Sequence, residues 1–141
     1  MILISHRGNI SGADPASENS PLYIKSALDK GLNVEVDVWL KRGVWHLGHD
    51  FPQYQIKESF LRNPRLWCHA KNVEALFKLT KLRIHCFWHQ EDDVVLTSEG
   101  YLWTYPGKPL TPNSICLFPE RTSQDFSATA GICSDTIVSY L

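Results

Sequence analysis

The run Asn33–Asp50, NVEVDVWLKRGVWHLGHD, constrains this chain more than any other stretch. Its first half alternates as a strand: Val34, Val36 and Val38 face one way, Glu35, Asp37 and Trp39 the other. Residues two apart on a strand lie roughly 6.5–7 Å apart on one face, so Glu35 and Asp37 share one space. The valines require an apolar layer beneath them. The opposite face then carries two carboxylates, whose burial is too costly unless a cation or dense hydrogen bonding offsets it. A metal ion is the simplest offset. An exposed edge strand with a solvated acidic face is the other reading. Gly48-His49-Asp50 closes the run and adds a histidine close by in sequence.

On either side of this run the pattern alternates strand and helix. Ile2–Ser5 is a short apolar strand that stops at His6-Arg7-Gly8, and Asn9–Asn19 is a polar loop rich in turn formers. Ser20-Pro21 is a helix start, with Ile24, Ala27 and Leu28 as its apolar stripe and Gly31 just past its end. The strand Val34–Leu40 follows, completing a parallel strand–helix–strand unit. Lys41-Arg42-Gly43 is a turn into a short strand, Val44–Leu47, and a short helix is expected from Ile56 to Arg62. Leu66–Lys71 alternates again, with Trp67, His69 and Lys71 on one face. Asn72 caps a helix running to Leu82, with Val73, Leu76 and Phe77 expected to face inward, and Ile84–His89 is the next strand. Beyond it the rhythm changes. Val94–Thr97 and Tyr101–Thr104 read as a hairpin, Tyr105–Asn113 as proline-rich loop, and Ile115–Phe118 and Ile132–Ser134 as short apolar strands.

A chain of 141 residues predicts one domain spanning 1–141. A net charge of −1 without a basic stripe argues against a nucleic-acid partner. No run approaches membrane-spanning length, and the apolar opening Met1–Ile4 is too short for a signal peptide. Cys68, Cys86, Cys116 and Cys133 lie far apart in apolar surroundings, which fits reduced core thiols and predicts a cytoplasmic protein.

Polar residues collect at the carboxyl ends of the expected strands, where parallel α/β architectures build their sites. His6 and Arg7 end the first, Glu35 and Asp37 lie on the second, His49 follows in its loop, and His69 and Lys71 end the third. Two carboxylates, two imidazoles and two cationic side chains suit metal-assisted phosphoryl chemistry. The cations neutralise phosphate charge, and the imidazoles exchange protons near neutral pH. His85 and His89 flank an apolar strand and read as packing or surface residues.

Four motifs in this order, His6-Arg7-Gly8, Glu18-Asn19-Ser20, Glu35-Val36-Asp37 and Gly48-His49-Asp50, resemble the glycerophosphodiester phosphodiesterase family, one of the phospholipase-C-like barrels. The match covers about the first third of the chain. It implies an α/β fold of TIM type, here a reduced, irregular (β/α) barrel in which loops and a hairpin replace some later helices. A full barrel usually needs about 250 residues. The resemblance further implies a divalent metal (Mg, Mn or Ca) held by Glu35 and Asp37, and acid/base catalysis by His6 and His49. Arg7 would contact phosphate, and Glu18 and Asn19 would support the loop and the metal shell. The substrate would be a small phosphodiester of the glycerophosphodiester kind, cleaved through a cyclic phosphate or directly. A phosphate- or metal-binding module without catalysis is the alternative.

The sequence departs from the family where Glu-x-Lys is expected and His69-Ala70-Lys71 stands. Lys71 keeps the phosphate position. His69 as third ligand would bring one negative charge fewer and a nitrogen donor, favouring Mn²⁺ or Zn²⁺ over Ca²⁺. Strand edges left open in a shortened barrel would accommodate a homodimer.

Overall fold

The computed structural model describes all 141 residues. The first strand, β1 (Ile2–His6), is followed by the helix α1 (Pro21–Asp29), the long strand β2 (Asn33–Lys41), β3 (Val44–Leu47) and β4 (Tyr54–Ile56). After a 3-10 turn at Glu58–Arg62 come β5 (Leu66–Ala70), α2 (Val73–Lys81), β6 (Cys86–Trp88), β7 (Val94–Leu96) and β8 (Leu102–Thr104). The chain ends with β9 (Ser114–Leu117), a 3-10 turn at Pro119–Arg121, β10 (Gly131–Ser134) and a last 3-10 turn at Ile137–Tyr140.

All ten strands belong to one mixed sheet. Along β6–β5–β2–β1–β10–β9–β8 every neighbouring pair is parallel. β7 is antiparallel to β8, and the hairpin β3–β4 extends the far half of β2. The sheet curls until its edges approach, where the Ser98 backbone N–H donates to the Cys86 carbonyl at 2.8 Å.

The expected reduced TIM-like (β/α) barrel is therefore incorrect. Such a barrel alternates a helix with each strand, whereas this curled half-barrel carries ten strands and only two α-helices. The physical reason lies in the connections. The segment from β8 to its parallel neighbour β9 contains Pro106, Gly107, Pro109 and Pro112, which no helix accommodates. It takes side-chain partners instead: the Gln124 side chain accepts from Gly107 N–H at 3.0 Å and donates to the Lys108 carbonyl at 2.9 Å.

The two faces of the sheet bury different residues. Outside, Val34, Val36, Val38, Leu66, Cys68, Ala70 and Cys86 pack with Ile24 and Ala27 of α1 and Ala75 and Leu79 of α2. Inside, Ile4, Trp67, Phe87, Trp103, Ile115, Leu117, Phe118 and Cys133 form a second, aromatic-rich cluster. The Ser20 cap forms as expected, its hydroxyl accepting from Tyr23 N–H, and so does the Asn72 cap on Ala75 N–H. The inward face of α2 differs from expectation. Val73 and Phe77 point to solvent and Leu76 is half-buried, while Ala75 and Leu79 are fully covered. Small Ala75 lets the helix approach the sheet closely, and Lys81 covers the exposed Phe77 ring, its Nζ 5.6 Å from the ring centroid. No helix is long and apolar enough to cross a membrane.

Candidate metal centre

At the carboxyl ends of β1, β2, β5 and β10 the inner face turns from aromatic to ionisable. Strand alternation puts Ile4 and His6, Glu35 and Asp37, Trp67 and His69, and Cys133 and Asp135 on that face in turn. Parallel registers align the rows, pairing His6 with Glu35 and Asp37 with His69. Glu35 and Asp37 are 2% and 0% exposed, which removes the solvated-edge reading.

Glu35, Asp37 and His69 each offer a ligand atom, and these atoms lie within 4.8 Å of one another, so the group could hold a metal ion. Glu35 Oε2 is buried with no hydrogen-bond partner, and buried Asp37 Oδ1 is met by nothing except the His69 ring. Buried carboxylate oxygens without donors are costly, and a cation at their focus would offset that cost. The donor set of two oxygens and one imidazole nitrogen fits a metal site. His69 Nε2 lies 3.0 Å from the His89 carbonyl. A carbonyl only accepts, so Nε2 carries hydrogen and Nδ1 faces the carboxylates, 3.1 Å from Asp37 Oδ1 and 3.6 Å from Glu35 Oε1. Burial works against a charged His69, but Asp37 and Glu35 outweigh it and push the imidazole up to about 9. Burial likewise disfavours charge on Asp37, yet His69, Arg7 and Asn19 hold it far below the usual carboxylate range. On Nδ1 a proton and a metal ion would compete for the same lone pair.

Asp37 is fixed from three sides. Asn19, at φ 64°, donates from Nδ2 to Asp37 Oδ2 at 2.8 Å and accepts from Asp37 N–H at 2.9 Å. Arg7 Nε lies 3.1 Å from the same Oδ2, and Arg7 Nη1 donates to Glu18 Oε2 at 3.1 Å. Arg7 reaches this position through a left-handed turn, with Arg7 at φ 57° and Gly8 at φ 93°. A Cβ at Gly8 would lie 2.7 Å from the Tyr23 ring, so the third letter of His6-Arg7-Gly8 is a packing requirement.

His6 donates from Nδ1 to Asp135 Oδ1 at 2.6 Å, which leaves Nε2 as its acceptor, 3.8 Å from Glu35 Oε2. Burial opposes protonation of His6, but Asp135 and Glu35 hold its pKa above the ordinary value. Asn9 Nδ2 bonds both Asp135 Oδ1 and Glu18 Oε1, so the two carboxylates are held on one amide. Asp135 and Asn9 escape the sequence reading, although Asp135 carries the same strand-end signal as His6. It follows Ile132–Ser134 directly, but with no helix after it nothing in the pattern marks that strand as part of a site.

His6, Arg7, Glu18, Asn19, Glu35, His49, His69 and Lys71 all line one cavity of about 700 Å³; Asp37 lies beneath it, fully buried. His49 is the least enclosed of the histidines here, with a side chain 42% exposed and Nδ1 2.8 Å from Asp50 Oδ1. Its loop is tied to the end of β2 by Gly48 N–H donating to the Asp37 carbonyl and Trp39 Nε1 donating to the Gly48 carbonyl. Gly48 sits at φ 153°, where a Cβ would fall 2.1 Å from the Phe51 carbonyl oxygen. Lys71 forms no ion pair, leaving its ammonium free for a ligand. His89, expected to pack or face solvent, is buried and lines the cavity wall. His85 is buried at the opposite end of the sheet, its Nε2 2.8 Å from the Thr97 hydroxyl. Comparison with protein-family models, with curated proteins and with solved structures finds no match for this chain.

Proposed function

We propose that this chain is a divalent-metal-dependent phosphodiesterase acting in the cavity above β1, β2, β5 and β10. The observation that carries this reading is the buried cluster of Glu35, Asp37 and His69, whose ligand atoms lie within 4.8 Å of one another and in which Glu35 Oε2 has no hydrogen-bond donor. The ordered motifs shared with glycerophosphodiester phosphodiesterases support the same chemistry and suggest a glycerophosphodiester-like substrate.

Glu35, Asp37 and His69 would hold the ion, Mn²⁺ or Zn²⁺ being better suited than Ca²⁺ to the imidazole donor. When bound, the metal would polarise a phosphoryl oxygen as a Lewis acid. His6, its Nδ1–H held by Asp135, presents Nε2 to the cavity as a base and, once protonated, as an acid. His49 is the second proton carrier: Asp50 accepts from its Nδ1 and leaves Nε2 for the other oxygen of the ester. Lys71 brings an uncommitted positive charge to the phosphate, and Arg7 holds Asp37 and Glu18 in place beside it.

One observation favours a second reading, a metal- and phosphate-binding module without turnover: the exposure of His49, which leaves half of the acid/base pair loosely held. One experiment separates the two. The protein is incubated with a panel of glycerophosphodiesters and Mg²⁺, Mn²⁺, Ca²⁺ or Zn²⁺, and released alcohol or cyclic phosphate is measured. Turnover that His6→Ala reduces by about 10²-fold or more upholds the enzyme reading. Metal binding with no turnover across the panel supports the module. Turnover retained by both His6→Ala and His49→Ala contradicts the two-histidine mechanism.

A further inference from the structure

The cavity holds a third cation besides Arg7 and Lys71, and it is the least committed guanidinium there. Arg121 ends the 3-10 turn that follows β9 and lines the cavity with its side chain 60% exposed. Its side chain makes no hydrogen bond within the chain, and its one ion pair is long, Nη2 lying 3.7 Å from Asp135 Oδ2. Arg7 contrasts with it. There Nη1 is given to Glu18 and Nε sits against fully buried Asp37, and a phosphate would have to compete with two carboxylates for that guanidinium.

Arg121 is nonetheless placed with care. The turn is reached through Phe118, a bulky residue at φ 46°, in the left-handed region that such side chains rarely adopt. The unusual backbone is held by Phe118 N–H donating to the Cys133 carbonyl and by Arg121 N–H donating to the Phe118 carbonyl, both at 2.8 Å. It sets the Phe118 ring edge-on to His6, with centroids 4.9 Å apart, and under the Arg121 guanidinium, 4.0 Å from its carbon. Stacking fixes the guanidinium plane and leaves its N–H edges unspent. Neighbouring Glu120 forms no ion pair with it; Glu120 Oε2 is turned to the Ser134 hydroxyl, from which it accepts at 3.0 Å.

We infer that Arg121, stacked on Phe118 beside the His6–Asp135 pair, is the principal phosphate anchor of this cavity, binding two phosphoryl oxygens through its free N–H edge. This assignment deepens the phosphodiesterase reading and rests on it for the substrate, but anion binding can be tested apart from turnover. A planar five-donor fork matches two phosphoryl oxygens in a way that the point charge of Lys71 does not. The anchor also sits on the side of the cavity where His6 presents Nε2, so it would orient the ester toward that base.

The test is calorimetric titration of inorganic phosphate into the full chain, with and without Mn²⁺. It is run on wild type, Arg121→Gln, Arg121→Lys and, as a control, Arg42→Gln on the exposed turn before β3. Wild type binds phosphate, Arg121→Gln binds at least about tenfold more weakly, Arg121→Lys recovers part of the loss, and Arg42→Gln matches wild type. Arg121 is exposed and its melting temperature is checked alongside. Absence of phosphate binding in wild type, unchanged affinity in Arg121→Gln, or an equal loss in Arg42→Gln overturns the assignment. Arg121-dependent binding without turnover of any diester keeps the anchor and removes the enzyme. Turnover with Arg121-independent binding keeps the enzyme and removes the anchor.

Discussion

The two faces of β2 are equally buried and chemically opposite. Val34, Val36 and Val38 are fully covered on the outer face, beneath the helices, and Glu35 and Asp37 are as completely covered on the inner one. Burial stabilises the valines by roughly 1.5–3 kcal/mol each and calls for nothing further. The carboxylates need partners, and the structure supplies them unevenly. Asp37 has Asn19, Arg7 and His69, while Glu35 Oε2 has no hydrogen-bond donor. Fold and candidate site thus share one strand, one face holding the sheet to its helices and the other holding a charge that a cation would complete.

Exchanging the chemistry of the faces should have the largest effect. Val36→Asp places a carboxylate among apolar side chains with no cation near, at a cost above about 4 kcal/mol. Loss of the cooperative thermal transition is the expected outcome, read by circular dichroism. The next largest effect belongs to Asp37→Ala, which takes the carboxylate away from buried Arg7 Nε and from Asn19 Nδ2 while the Asp37 N–H bond to Asn19 remains. A loss of about 3–5 kcal/mol is expected in urea unfolding. A loss below about 1 kcal/mol would mean that the inner face tolerates an empty position as the outer face would not.

A smaller effect follows from pH in the metal-free protein. His69 is raised to about 9 against an unfolded value near 6.5, so its contribution is fully present below about 6.5 and is lost as pH rises through 9. Asp37 is depressed, so its contribution is present above its unfolded value near 4 and is lost as pH falls below that. The metal-free chain should therefore be most stable between about pH 4 and 6.5, and His69→Gln should flatten the alkaline limb. A wild-type alkaline limb no steeper than that of His69→Gln would show that the imidazole is not paired with the carboxylates.

The same contrast explains what could be read from the sequence. Glu35, Asp37, His6 and His69 were legible because period-two alternation is fixed by backbone geometry, and parallel registers then align the strand ends. The caps at Ser20 and Asn72 were legible for the same local reason. What was not legible depends on distance along the chain. Asp135 reaches His6 across 129 residues, and nothing local in Ser134-Asp135-Thr136 announces that contact. The barrel expectation fails likewise: two strand–helix–strand units match the opening of a barrel, and the joining of the later, helix-free strands into one curled sheet depends on contacts distant in sequence. The inward face of α2 is set by how closely the helix approaches the sheet, which local sequence does not encode, and not by side-chain bulk. Ala75, not Phe77, meets the sheet.

The central claim is that a metal ion completes the inner face of β2, and calorimetric titration of Mn²⁺ into the metal-free chain tests it most directly. Wild type should bind one ion per chain and, at pH 7, release close to one proton from His69, seen as a dependence of the heat on buffer ionisation enthalpy. Glu35→Gln should remain folded and show neither the heat nor the metal-induced rise in Tm, which for wild type corresponds to about 2.7 kcal/mol at one hundred times Kd. No binding by wild type, or unchanged binding by Glu35→Gln, would contradict the account.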